Sequence, residues 1–98
     1  MSRYITSRAV VVTAEYKVKN VEPVNGCDFS LEELQKIVDG YIEVVWLNNG
    51  KIMVVNEEGA FSKQPNIIAT TYAQLNGGIP DNGTIFGDVL ICDTDMVK

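Results

Sequence analysis

One stretch, residues 30–59 (SLEELQKIVDGYIEVVWLNNGKIMVVNEEG), constrains the fold more than any other part of the chain. Ser30 can offer its hydroxyl to the free amides of a first helical turn. Glu33, three residues on, completes an S-x-x-E capping box, with Phe29 and Leu34 at the staple positions. Leu31, Leu34, Ile37 and Val38 recur at helical spacing as one apolar stripe, and Gly40 can take the left-handed conformation that stops a helix. The result is a helix of about two and a half turns, too short to persist without packing. From Tyr41 the period changes to two. Ile42, Val44 and Trp46 share one face, Tyr41, Glu43, Val45 and Leu47 the other, in the β-branched and aromatic composition of a strand. Asn48, Asn49 and Gly50 tolerate the positive φ of a tight turn, so residues 51–56 return as a second strand, and Glu57, Glu58 and Gly59 turn again.

The flanks supply less regular signals. Residues 8–19 alternate from Val10 onward: Val10, Val12, Ala14, Tyr16 and Val18 face one way, Thr13, Glu15, Lys17 and Lys19 the other. That pattern predicts one half-buried strand with a solvated charged face, as antiparallel sheets allow. Residues 1–7, with Arg3 and Tyr4, read as a lead-in or an early part of that strand. Pro23, Asn25 and Gly26 mark a loop, and residues 60–63 read as a short extension leading to Pro65. Asn66 is a candidate N-cap for a second helix over 67–75. A loop over 76–84 (NGGIPDNGT) precedes a closing strand over 85–92, where Gly87 suggests a bulge or close backbone approach, and 93–98 reads as a mobile tail. The expected fold is α+β, a single domain over 1–98 in which a small, mainly antiparallel sheet of about four strands packs against two short helices. Its expected core sets the helix stripe against Ile42, Val44 and Trp46; on that reading Trp46→Ala costs roughly 3–5 kcal/mol.

Composition then narrows the function classes. Eight Lys and Arg against thirteen Asp and Glu give a net charge of -5, which opposes attraction to a polyphosphate backbone or an anionic membrane. No apolar run approaches the ~20 residues of a membrane span, and the first residues lack a signal peptide's apolar segment, so a cytoplasmic protein is expected, with neither nucleic acid nor membrane as partner. The chain has no histidine, which removes His-dependent triads, His-ligated metal sites and the usual near-neutral general base. Neither S-x-x-K nor a glycine-rich phosphate loop is present. Cys27 and Cys92 form no C-x-x-C unit and read as free thiols. Glu57 and Glu58 are the best carboxylate pair, yet neighbours in an extended chain point to opposite faces. The expectation is a non-enzymatic protein with no cofactor and no metal. Its candidate ligand contacts are Asn56, Glu57, Lys63 and Asn66, with Arg8 as an anion partner.

Four blocks in order, LEELQKIVDGYIEVVWL, MVVNEEG, QPNIIAT and IFGDVLIC, resemble the domain of unknown function 3846 family over residues 31–92. The positions that carry the likeness include Gly40, Tyr41, Ile42, Glu43, Asn56, Glu57, Glu58, Gly59, Pro65, Asn66, Gly87 and Asp88. The resemblance implies a small α+β protein of bacteriophages and other mobile elements. With the catalytic silence of the sequence, it raises the expectation of a counter-defence factor that sequesters a nucleotide-like signalling molecule in the host cytoplasm. A homo-oligomer is expected, because a chain this small encloses little on its own. The alternative is an acidic protein–protein inhibitor that mimics DNA and occupies a host defence enzyme, or a purely structural interaction domain.

Overall fold

The Asn-Asn-Gly turn sets the register of the central hairpin. In a computed structural model, which describes residues 8–97, β3 (Ile42–Trp46) runs antiparallel to β4 (Lys51–Asn56), with Ile42 opposite Asn56, Val44 opposite Val54 and Trp46 opposite Ile52. Before it, α1 (Leu31–Val38) starts as its capping box dictates. Ser30 Oγ accepts from the Glu33 amide at 3.2 Å and Glu33 Oε1 accepts from the Ser30 amide at 2.7 Å. Glu33 Oε2 also accepts from the Val24 amide at 2.9 Å, tying the preceding loop to the helix start. These amides hold the Glu33 carboxyl below the usual carboxylate range.

The helix stops one residue earlier than glycine content suggests. Asp39, not Gly40, takes the left-handed conformation, with φ 59. The cause lies across the fold: Asn56 Nδ2 donates to the carbonyls of Val38 and Asp39 at 3.0 and 3.1 Å, capping the helix end from the sheet. Gly40 is still required, since a Cβ there would stand 2.7 Å from Asn56 Nδ2.

The expected single strand over 8–19 is instead two, β1 (Ala9–Val12) and β2 (Val18–Asn20), paired as a hairpin. Alternation carries no sign of the break, which is made by Tyr16 at φ 68 and by Thr13. Thr13 Oγ1 accepts from the amides of Glu15 and Lys17, and the Thr13 amide donates to Lys17 O at 2.8 Å. The closing strand is β5 (Val89–Asp93), shorter than expected, because Gly87 at φ 83 redirects the chain before it, where a Cβ would meet the Lys63 side chain at 3.1 Å. Among the described residues the sheet has five strands in the order β2-β1-β5-β4-β3, and every neighbouring pair is antiparallel.

Residues 60–63 do not extend a strand; α2 (Gly59–Ser62) is a single short helix. The second expected helix forms as α3 (Ile67–Leu75), N-capped by Asn66. The segment read as a mobile tail is docked as far as residue 97: Thr94–Met96 make a 3-10 turn, Met96 is buried, and the Phe29 amide donates to its carbonyl at 2.8 Å. The lead-in over 1–7 and Lys98 lie outside the described residues.

Both faces of the sheet are covered. On one, Leu34 and Val38 of α1 pack with Phe29 and Met96 over Ile52, Val54 and Leu90; on the other, Ala69 and Ala73 of α3 pack with Ile85 over Val10, Met53 and Ile91. Central strands β4 and β5 are therefore apolar on both sides, which is why they read as runs rather than as alternation. Trp46 is not in the core: it is 69% exposed, because α1 centres on β4 and β5 and leaves the far corner of edge strand β3 uncovered. Cys92 is buried under α1 and Cys27 exposed, both as free thiols, and burial pushes the Cys92 thiol up to about 11. No helix among the described residues is long and apolar enough to cross a membrane.

Where β1, β5 and β4 begin or end together, an ion network closes the sheet. Asp93 accepts from Arg8 Nε at 2.8 Å and from Lys51 Nζ at 2.7 Å, while Arg8 Nη2 reaches Asp95 at 2.8 Å. The hydrogen bonds from Arg8 and then Lys51 hold the Asp93 carboxyl below its ordinary value. A depressed carboxyl contributes stability that is complete above its unfolded value of about 4 and is lost as pH falls through the folded value. Urea midpoints are thus expected to drop below about pH 4, and to drop less in Asp93→Asn; solvent screening at this partly exposed carboxylate keeps its share to about 1 kcal/mol or less. An equal acid slope in both proteins would contradict the assignment.

Candidate functional site

The antiparallel registers give the sheet two ends. Arg8, Lys51 and Asp93 mark one, and Val12, Asn56 and Asp88 the other. The five expected contact residues do not converge on one site. Arg8 lies at the first end beside a cleft of about 430 Å³ lined also by Asn20, Glu22 and Met96, but its guanidinium is already engaged by Asp93 and Asp95. The other four sit at the opposite end, one inside the protein and three along two separate clefts.

Asn66 lies inside the protein. It is 1% exposed, and every polar atom of its side chain is committed: Nδ2 donates to Val12 O at 3.0 Å and Gly87 O at 2.8 Å, and Oδ1 accepts from the Ala69 amide at 3.0 Å. It therefore joins β1, the Gly87 turn and α3. Asn56 is similarly occupied, since besides capping α1 it accepts from the Glu58 amide at 2.7 Å and thereby shapes the turn into α2.

Lys63 lines a cleft of about 350 Å³ between the β1–β2 turn, the end of α1 and the Gly87 turn. Its Nζ donates to Asp39 Oδ2 at 2.6 Å, a bond that holds the Asp39 carboxyl low. Glu15 and Asp88 line the same cleft, and Asp88 accepts from the Ala14 amide at 3.0 Å. One cation against three carboxylates leaves no attraction for an anion here.

Glu57 belongs to a different cleft of about 230 Å³. Val45, Val55, Ile79, Ile85 and Phe86 form its apolar surface, and Glu43 and Glu57 supply its charge. The hairpin register puts both residues on this cleft: Glu43 is opposite Val55, hence diagonal to Glu57 across the strands, and the Glu57 amide donates to Tyr41 O at 2.9 Å to hold that register past the end of β4. Neither carboxylate has a hydrogen bond or ion pair among the described residues, and no Lys or Arg lines the cleft. Glu58 takes no part in it, so the useful partner of Glu57 comes from across the hairpin and not from its sequence neighbour. Glu43 escapes sequence reading because alternation gives it only a strand face, shared with Tyr41, Val45 and Leu47; its distance from the Asn48-Asn49-Gly50 turn is the signal that pairs it with Glu57.

Among the described residues no cluster of three or more His, Cys, Asp or Glu side chains could hold a metal ion. The model of the family described as Domain of unknown function (DUF3846) matches residues 7–97, a span that takes in the β1–β2 hairpin as well as the blocks from α1 to β5. No curated protein and no solved structure matches the chain at a significant level.

Proposed function

We propose that this chain, which belongs to the domain of unknown function 3846 family, is a non-enzymatic binding protein whose Glu43–Glu57 cleft accepts a basic group carried on an aliphatic stem. The observation that carries the reading is the pair of carboxylates, unengaged among the described residues, beside an apolar surface whose described lining holds no cation. A protonated amine would take the carboxylates while its methylene stem lies on Val45, Val55 and Ile79, the division of labour that long cationic side chains use elsewhere. The volume favours the same class, because about 230 Å³ is below the roughly 300–1,000 Å³ of most small-molecule sites yet ample for a lysine side chain.

This reading keeps the binding role expected from the sequence and moves it from an anionic nucleotide-like signal toward a basic partner, the kind an acidic inhibitor of a host defence enzyme would hold. Sequestration of a nucleotide is the weaker option, since the cations beside the two larger clefts, Arg8 and Lys63, are held by Asp93, Asp95 and Asp39. Calorimetry separates the two. A lysine-containing peptide or a polyamine is expected to bind in a salt-sensitive way, weakened about tenfold by Glu43→Gln or Glu57→Gln, as for a charge-assisted contact. Silence toward every basic probe, or heat from a nucleotide panel that both variants leave unaltered, would overturn the proposal.

A further inference from the structure

The two edges of the sheet are unlike each other. The β2 edge is three residues long, with each residue exposed, and carries Lys19, the kind of short charged strand that discourages pairing with another chain. The β3 edge is five residues of IEVVW, without proline and with Glu43 as its single charge. Its backbone is turned outward in a regular way. The Leu47 amide donates to Lys51 O and the Glu57 amide to Tyr41 O, so residues 41, 43, 45 and 47 bond to β4. By the alternation of an antiparallel ladder, the N–H and C=O groups of Ile42, Val44 and Trp46 face away from the sheet.

We propose that a second copy of this chain occupies that edge, β3 against β3 about a twofold axis through Val44, joining two sheets into one. The strand is complementary to its own reverse. In this register Val44 meets the partner's Val44, Ile42 meets the partner's Trp46, Tyr41 meets the partner's Leu47 and Glu43 meets the partner's Val45. No like charges stand directly opposite, whereas a twofold through Glu43 would set that carboxylate against its copy. Pairing covers both Trp46 and Tyr41, each 69% exposed in the single chain, and supplies aromatic–aliphatic pairs of the kind that stabilise sheets. Each chain carries a net charge of -5, so added salt strengthens the dimer by screening the repulsion between copies. The inference does not depend on what the Glu43–Glu57 cleft binds.

Trp46 is the sole tryptophan, so its emission reports the edge directly. Sedimentation equilibrium is expected to show a monomer–dimer equilibrium, with dissociation at about micromolar concentration for an interface of this small class. Tryptophan emission should shift to the red on dilution over the same range. Trp46→Lys, a change at a side chain the single chain leaves in solvent, is expected to weaken the dimer at least about tenfold while its circular dichroism matches the parent. Val18→Lys, which makes the same charge change on the exposed β2 edge, should leave the dimer no weaker. A wild-type chain that stays monomeric at about 200 µM, far above that range, an assembly larger than a dimer, or a dimer insensitive to Trp46→Lys would each overturn the proposal.

Discussion

Asn66→Asp is expected to destabilise the protein by about 3–5 kcal/mol at pH 7, more than Asn66→Ala, although it changes one terminal group. The two Nδ2 hydrogens are what Val12 O and Gly87 O depend on, and an ionised carboxylate would face both carbonyls with no donor in a site that is 1% exposed. Alanine removes the Ala69 cap, worth about 1 kcal/mol, and holds the two carbonyls to the low end of the unpaired cost, about 1 kcal/mol each, because water can enter the space vacated; its total is about 3 kcal/mol or less. The order Asp worse than Ala therefore rests on the buried charge. Burial and the facing carbonyls raise the introduced carboxyl in the folded state, so its penalty is greatest above the folded value and shrinks as pH falls toward the unfolded value of about 4. Urea unfolding at pH 7 and pH 5 is the check: the gap between the variants should narrow at the lower pH. Equal stability of Asn66→Ala and wild type would mean that those carbonyls find other donors.

The same residue shows where a sequence stops being readable. Asn66 as the N-cap of α3 is legible, because a cap is a bond to an amide three residues away. Its bonds to Val12, 54 positions earlier, and to Gly87, 21 positions later, are not. Without them a polar residue beside a proline looks free for a ligand. The capping box at Ser30 and the β3–β4 hairpin are likewise local and legible; the Asn56 cap of α1, the docking of Met96 on Phe29 and the covering of both sheet faces depend on contacts between distant segments. The Glu43–Glu57 cleft falls between these cases. Glu57 stands out as a turn carboxylate, but its partner is a diagonal neighbour that only the folded hairpin supplies.

Leu90→Ala and Trp46→Ala should separate by more than their side-chain sizes suggest, and in the opposite order. Leu90 has no exposed surface, lies on the central strand opposite Val11 and Val54, and packs beneath α1, so truncation leaves a cavity that flanking strands on both sides cannot collapse into. A loss of about 2–5 kcal/mol is expected. Trp46 is the larger residue and, read from alternation alone, the better core anchor; on an edge strand with 69% of its surface in solvent, its loss should cost below about 1 kcal/mol in the single chain. Protein concentration must be fixed to see this, because a dimer through β3 adds more of its association energy to the apparent stability of the parent than to that of Trp46→Ala. Denaturation at low micromolar and at high concentration therefore reports two quantities. At low concentration the Trp46→Ala difference measures packing within one chain, and a value near that of Leu90→Ala would place Trp46 back in the core. Growth of the difference with concentration, with Leu90→Ala compared at the same two settings, measures what the strand edge gains from its second copy.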